Sequence, residues 1–190
     1  GMPTDGDVNA FGRIARPPAA AMPVFLCLCR LVFPADKIRD RDDDGKNWKK
    51  LQPYLLRDHN NILDAMRTFD ARDHRERLAE LQHQYFSEIR PDAFTSRRTW
   101  ATVLAETRPP LSDDALARLQ AVGVFCGRWL LDLPGRVEMQ DRIRGLDEEV
   151  EDLQASRKET FRRTQNARKW VEKKMETTFR HPVELTYTCY

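Results

Sequence analysis

Asp40, Asp42 and Asp44 alternate ahead of Gly45 in the run DRDDDG. Alternate carboxylates followed by a sharply turning glycine open a calcium loop, because a hard cation gathers oxygen ligands from every second position. The closing bidentate glutamate is missing. Leu51 stands where it would fall, and Asn47 replaces the usual apolar residue. A solvated acidic turn is the expectation, with Asp40, Asp42 and Asp44 the residues that would meet a cation.

Glu80 and His83 have the Glu-x-x-His spacing that puts both side chains on one helical face, as in di-iron bundles. Those sites need a second copy of the motif and two further carboxylates, and no second copy exists. Arg67 and His74, and Arg77 and His83, have the spacing used by some all-α RNA-cleaving domains. Arg outnumbers Lys about three to one, so such pairs are expected by chance. No Gly-x-Ser-x-Gly elbow, Walker loop or Gly-x-Gly-x-x-Gly turn occurs. Cys27, Cys29, Cys126 and Cys189 form no Cys-x-x-Cys pair and are too few for a disulfide scaffold, so reduced thiols in the cytoplasm are expected. No cofactor and no catalytic residue is implied.

The remaining chemistry is charge. Arg162, Arg163, Lys169, Lys173 and Lys174 could track phosphates, with Phe161 and Trp170 among them. Glu159, Glu172 and Glu176 interrupt that run, and the whole chain carries a formal charge of only +2. General steering toward nucleic acid or an anionic membrane is therefore not implied. The longest apolar run, 24–33, is interrupted by Arg30 and is shorter than the ~20 residues a spanning helix needs.

These residues must be positioned by helices. Charged residues make up 33% of the chain, above the ~25% of an average globular domain. A modest core with an extended charged helix gives such totals. Residues 1–23, rich in Gly, Pro and Ala, read as a flexible leader. The apolar run 24–33 suits a buried strand, and 183–190 alternates like a half-exposed one, so the two are expected to pair. Helices are expected from Pro53 to Phe69, from Asp73 to Pro91, from Ser96 to Thr107, and from Asp113 to Leu131 under a Ser112 cap. Pro134-Gly135 is expected to break the chain before a last helix that ends near Arg180.

On that last helix Met139, Ile143, Leu146, Val150 and Leu153 step by four and three, a heptad seam. Arg157 takes the next seam place, and apolar residues resume at Phe161, Thr164, Val171 and Met175. The step from Arg157 to Phe161 is four where three is due, a stutter. Charge divides along the same helix. Over 138–153 seven acids stand against two bases, and over 157–180 nine bases stand against three acids. The helix dipole favours that order within one chain. Two antiparallel copies would also set each acidic half beside a basic half, with Arg157 near the midpoint.

The expected fold is mainly α: a helical bundle with one long C-terminal helix and a small β element from 24–33 and 183–190. The expected organisation is a leader at 1–23, a core at 24–133, and the charged helix with its terminal strand at 136–190. The expected function is non-enzymatic: a protein-protein interaction or assembly protein that forms a homo-oligomer through Met139, Ile143, Leu146, Val150, Leu153, Phe161, Val171 and Met175. The alternatives are a nucleic-acid-binding regulator using 157–180 and a helical enzyme such as a ribonuclease. No membrane partner is expected.

Overall fold

In the computed structural model, residues 2–33, 44–56 and 62–180 are described. The chain divides into two units, Gly1–Glu138 and Met139–Tyr190. The α-helices are α1 (Asp5–Gly12), α2 (Ala21–Val32), α3 (Asp44–Leu55), α4 (Ile62–Thr68), α5 (Arg75–Tyr85), α6 (Ala101–Glu106) and α7 (Asp113–Arg180), with 3-10 turns between them. The mainly helical fold and the long C-terminal helix are as the sequence implies. No strand occurs among the described residues.

The first correction is at the N-terminus. The stretch expected to be a flexible leader contains α1, and its Phe11 is at the centre of the core. Thr4 and Asp7 form a capping box: the Thr4 hydroxyl oxygen accepts from the Asp7 amide (3.3 Å), and the Asp7 carboxylate accepts from the Thr4 amide (2.8 Å). The Thr4 hydroxyl also donates to the Asp7 carboxylate (2.7 Å), and this bond, with the one from the Thr4 amide, holds the Asp7 carboxyl below the usual range. Val8 and Phe11, one turn apart, are fully buried. The Phe11 ring lies 4.9 Å from Phe25, 6.0 Å from Trp48 and 5.8 Å from Trp100, centroid to centroid. Carbonyls at the end of α1 lack helical partners, and α3 supplies them. Trp48 Nε1 donates to the Ile14 carbonyl (2.7 Å) and Gln52 Nε2 to that of Gly12 (2.9 Å). Gly12 is required there, because a Cβ would come within 2.8 Å of the Leu55 Cβ.

The second correction is the strand expected at 24–33, which is helical within α2. From Val24 to Cys29 every residue is buried, so the run has no polar face to give it a period, and a helix buried all round has that signature. Its length, twelve residues, exceeds the five or six usual for a strand. The helix packs against α3, α4 and α5. Arg30, the charged residue of the run, donates to Gln84 Oε1 (3.0 Å) and the Tyr85 hydroxyl (2.9 Å) of α5. The second expected strand, 183–190, lies outside the described residues.

Helix boundaries shift in the middle of the chain. The helix expected from Pro53 is α3, which starts nine residues earlier at Asp44, followed by the separate α4. Pro53 therefore lies inside α3 and not in a first turn, and it removes one backbone hydrogen bond there. Asp73, the expected start, lies within a 3-10 turn, Ala71–His74, whose cap is Asp70 (Arg72 amide to Asp70 Oδ1, 3.0 Å), and α5 begins at Arg75. Arg97–Trp100 is a 3-10 turn leading into α6. Trp100, fully buried, donates from Nε1 to the Phe94 carbonyl (2.8 Å).

Ser112 caps α7 as expected, its hydroxyl oxygen accepting from the Ala115 amide (3.2 Å). Leu116, Leu119, Val122, Cys126, Trp129 and Leu133 are buried on one side. Gly123 lets this face approach Phe94, for a Cβ would come within 2.2 Å of the ring. The break expected at Pro134-Gly135 is absent, and α7 is continuous. A mid-helix proline removes one hydrogen bond and costs roughly 3 kcal/mol. The apolar spacing passes straight over it, from Leu130 and Leu133 to Val137, which packs against the core. Among the described residues, every buried apolar side chain lies at or before Leu133.

Candidate interaction face on the long helix

The Met139–Tyr190 unit is described as far as Arg180, and all of that stretch is helix. Between Met139 and Arg180 neither proline nor a capping signal interrupts the backbone. Met139, Ile143, Leu146, Val150, Leu153, Phe161, Val171 and Met175, together with Trp170, are exposed, at 47–65% of their full accessible area. Successive members three and four apart share one face. From Met139 to Met175 the stripe extends ~54 Å at 1.5 Å per residue. Near its middle Leu153, Arg157, Phe161, Thr164 and Arg168 line a shallow depression. The Thr164 hydroxyl donates to the Thr160 carbonyl (2.9 Å), so its polar atom is satisfied within its own helix.

Charges on this helix partly pair along it. Arg144 lies 3.8 Å from Asp141 and 3.7 Å from Glu148. Glu159 holds both Arg162 (3.4 Å) and Arg163 (3.0 Å). The Lys174 ammonium lies over the Trp170 ring, 5.8 Å from its centroid. Exposed pairs of this kind contribute little stability, roughly 0.3–0.5 kcal/mol each at helical spacing. Of the five basic residues marked for phosphate contact, Arg162 and Arg163 are thus shared with an acid and Lys174 with an indole. Lys169 and Lys173 are exposed.

The other sequence candidates are not brought together. Asp40 and Asp42 lie outside the described residues. Asp44 opens α3, and the positions from Gly45 to Leu51, where a calcium loop would still be turning, are helical. Among the described residues no three His, Cys, Asp or Glu side chains group as metal ligands. Glu80 and His83 are exposed on α5. Arg67 pairs with Asp64 (2.9 Å), and His74 stacks on Phe69 (5.1 Å between centroids). Cys27, Cys29 and Cys126 are buried, and Cys27 and Cys126 are free thiols. Burial pushes the Cys27 thiol up to about 12, with Arg30 opposing, and the Cys126 thiol to about 12 as well. Neither is a nucleophile at neutral pH.

One feature escaped the sequence reading. A groove of about 970 Å³ runs beside α1, lined among others by Asp7, Asn9, Arg13, Glu106 and Arg118. The buried Asn9 Oδ1 there has no hydrogen-bond partner among the described residues. Acids and bases are balanced in its wall, and Arg16 at its edge pairs with Glu106 (3.1 Å). Thr4 and Asp7, three apart ahead of an apolar pair, were the signal that α1 exists.

Among the described residues no helix is long and apolar enough to cross a membrane. The chain matches no protein-family model, no curated protein and no solved structure.

Proposed function

We propose that this chain is a non-enzymatic assembly protein that pairs with a second copy of itself through the exposed face of α7, antiparallel. The observation that carries this reading is the run of nine large apolar side chains, 139–175, on a helix that covers none of them. Monomeric proteins rarely leave a contiguous apolar patch of more than a few hundred Å² in water. An isolated helix takes most of its stability from packing, so a stripe this long calls for cover. A second copy is the occupant favoured by charge. Antiparallel copies set the acid-rich 138–153 against the base-rich 157–180, whereas parallel copies set like against like. The buried free thiols Cys27 and Cys126 fit a reducing compartment such as the cytoplasm.

The test is the mass of the full chain by sedimentation equilibrium over a range of concentrations, beside Val150→Pro. A concentration-dependent dimer is expected, and the variant is expected to be monomeric, because proline inside a helix costs about 3 kcal/mol. A monomer for both chains at the highest concentration would sink the proposal.

A further inference from the structure

The stutter at Arg157 has a property that an ordinary irregularity lacks. From Met139 the seam proceeds Ile143, Leu146, Val150, Leu153, Arg157, in steps of four, three, four, three, four. From Met175 backwards it proceeds Val171, Arg168, Thr164, Phe161, Arg157, in the same steps. The stripe is a palindrome in its spacing, and Arg157 is its centre. The helix is continuous and the apolar members of both arms are exposed, so the backbone imposes no other phase on either half.

We infer that the stutter is a register device, which places the two-fold axis of an antiparallel dimer at Arg157. This rests on the self-association proposed above and specifies its geometry. With the axis there, Met139 faces Met175 of the second copy, Ile143 faces Val171, Val150 faces Thr164, and Leu153 faces Phe161. Leu146 meets Arg168, whose aliphatic stem can cover it while the guanidinium reaches water. A uniform heptad would accept antiparallel registers one heptad apart about equally well. Here any shift sets each copy's stutter against a regular stretch of the other, and seam residues between the two stutters lose their counterparts.

Charge agrees with the same axis. Along the axis Arg162 and Arg163 stand level with Asp152 and Glu151 of the second copy, Lys173 with Asp141, and Glu172 with Arg142. The like-charged pairs at one level are fewer: Glu138 with Glu176, and the two Arg157. At the axis the two Arg157 side chains face each other. A polar residue at one seam position lowers stability and fixes register.

The experiment uses the full chain in a Cys189→Ser background, with single cysteines at Val150, Leu153, Arg157, Phe161 or Thr164, all on the exposed helix. Under mild oxidation Arg157→Cys is expected to cross-link to itself most. Leu153→Cys alone should cross-link little, because its own copies are ~12 Å apart along the axis and a disulfide needs Cα atoms within about 7 Å. An equal mixture of Leu153→Cys and Phe161→Cys chains should form the mixed dimer that neither forms alone. Equal self-linking at all five positions marks a parallel pair, and a maximum at any position other than Arg157 marks another register. Either overturns the inference and leaves assembly standing. A monomeric mass overturns both. Arg157→Leu supplies a second reading: the dimer Kd is expected to fall about tenfold while the register loosens. An unchanged Kd counts against an axis at this residue.

Discussion

One helix, α7, carries two apolar stripes of the same spacing with opposite fates. Leu116, Leu119, Val122, Cys126, Trp129 and Leu133 are buried, and the stripe from Met139 to Met175 is exposed. Helical periodicity states that a face is apolar. It does not state what covers it. The difference lies in what the rest of the chain offers. The earlier stripe has Phe94 and its neighbours to meet, and Gly123 to let them close. The later stripe has long polar flanks, and a cover from outside the chain is the proposal made for it.

That contrast can be broken with matched pairs of substitutions on the same helix. Leu119→Ala should destabilise the chain by about 2–5 kcal/mol, the range for truncating a buried leucine. Ile143→Ala should leave the unfolding midpoint of a dilute monomer within the roughly 0.5 kcal/mol usual for surface changes and weaken association instead. Urea denaturation at low concentration checks both. If Ile143→Ala matched Leu119→Ala in the dilute chain, the later stripe would have an intramolecular partner after all.

Two glycines sharpen the same point with opposite signs. At Gly123 an added Cβ meets the Phe94 ring at 2.2–2.6 Å, so Gly123→Ala should cost about 1–3 kcal/mol by overpacking. At Gly145 nothing lies within 4 Å, so Gly145→Ala should stabilise its stretch by about 1 kcal/mol through helix propensity alone. Thermal melts followed by far-UV circular dichroism distinguish the two.

The smallest effect is chemical. In a Cys189→Ser background at pH 9, the thiol of Leu153→Cys, exposed in the monomer, should react readily with a thiol reagent. Cys126, pushed to about 12 by burial, should not react until the chain unfolds. Rapid labelling of Cys126 in the folded chain would show that the first stripe opens as easily as the second.

The parts legible in the sequence were those where pattern and cap coincide. Ser112 followed by the spaced residues from Leu116 to Leu133 gave both the start of α7 and its buried face. The acid-to-base gradient and the stripe from Met139 to Met175 were likewise readable, though their exposure was not, because periodicity alone does not carry it. Composition misled at 1–23, where Gly, Pro and Ala outweighed the Thr4–Asp7 box and the Val8–Phe11 pair. At 24–33 complete burial erased the period that separates a strand from a helix. Pro134 suggested a stop because local rules price the lost hydrogen bond and not the packing on either side of it. The groove beside α1 was invisible for the reason that α1 itself was.

Phe11 and Trp100 touch across 89 residues of chain. During synthesis Phe11 therefore emerges well before the Trp100 indole, and until the 3-10 turn Arg97–Trp100 arrives α1 has only α2 and α3 to pack on. A segment of eight residues cannot hold a helix unaided in water. The N-terminal end thus completes its packing late, and until then the side of Phe11 that meets Trp100 is open to chaperones or to neighbouring nascent chains.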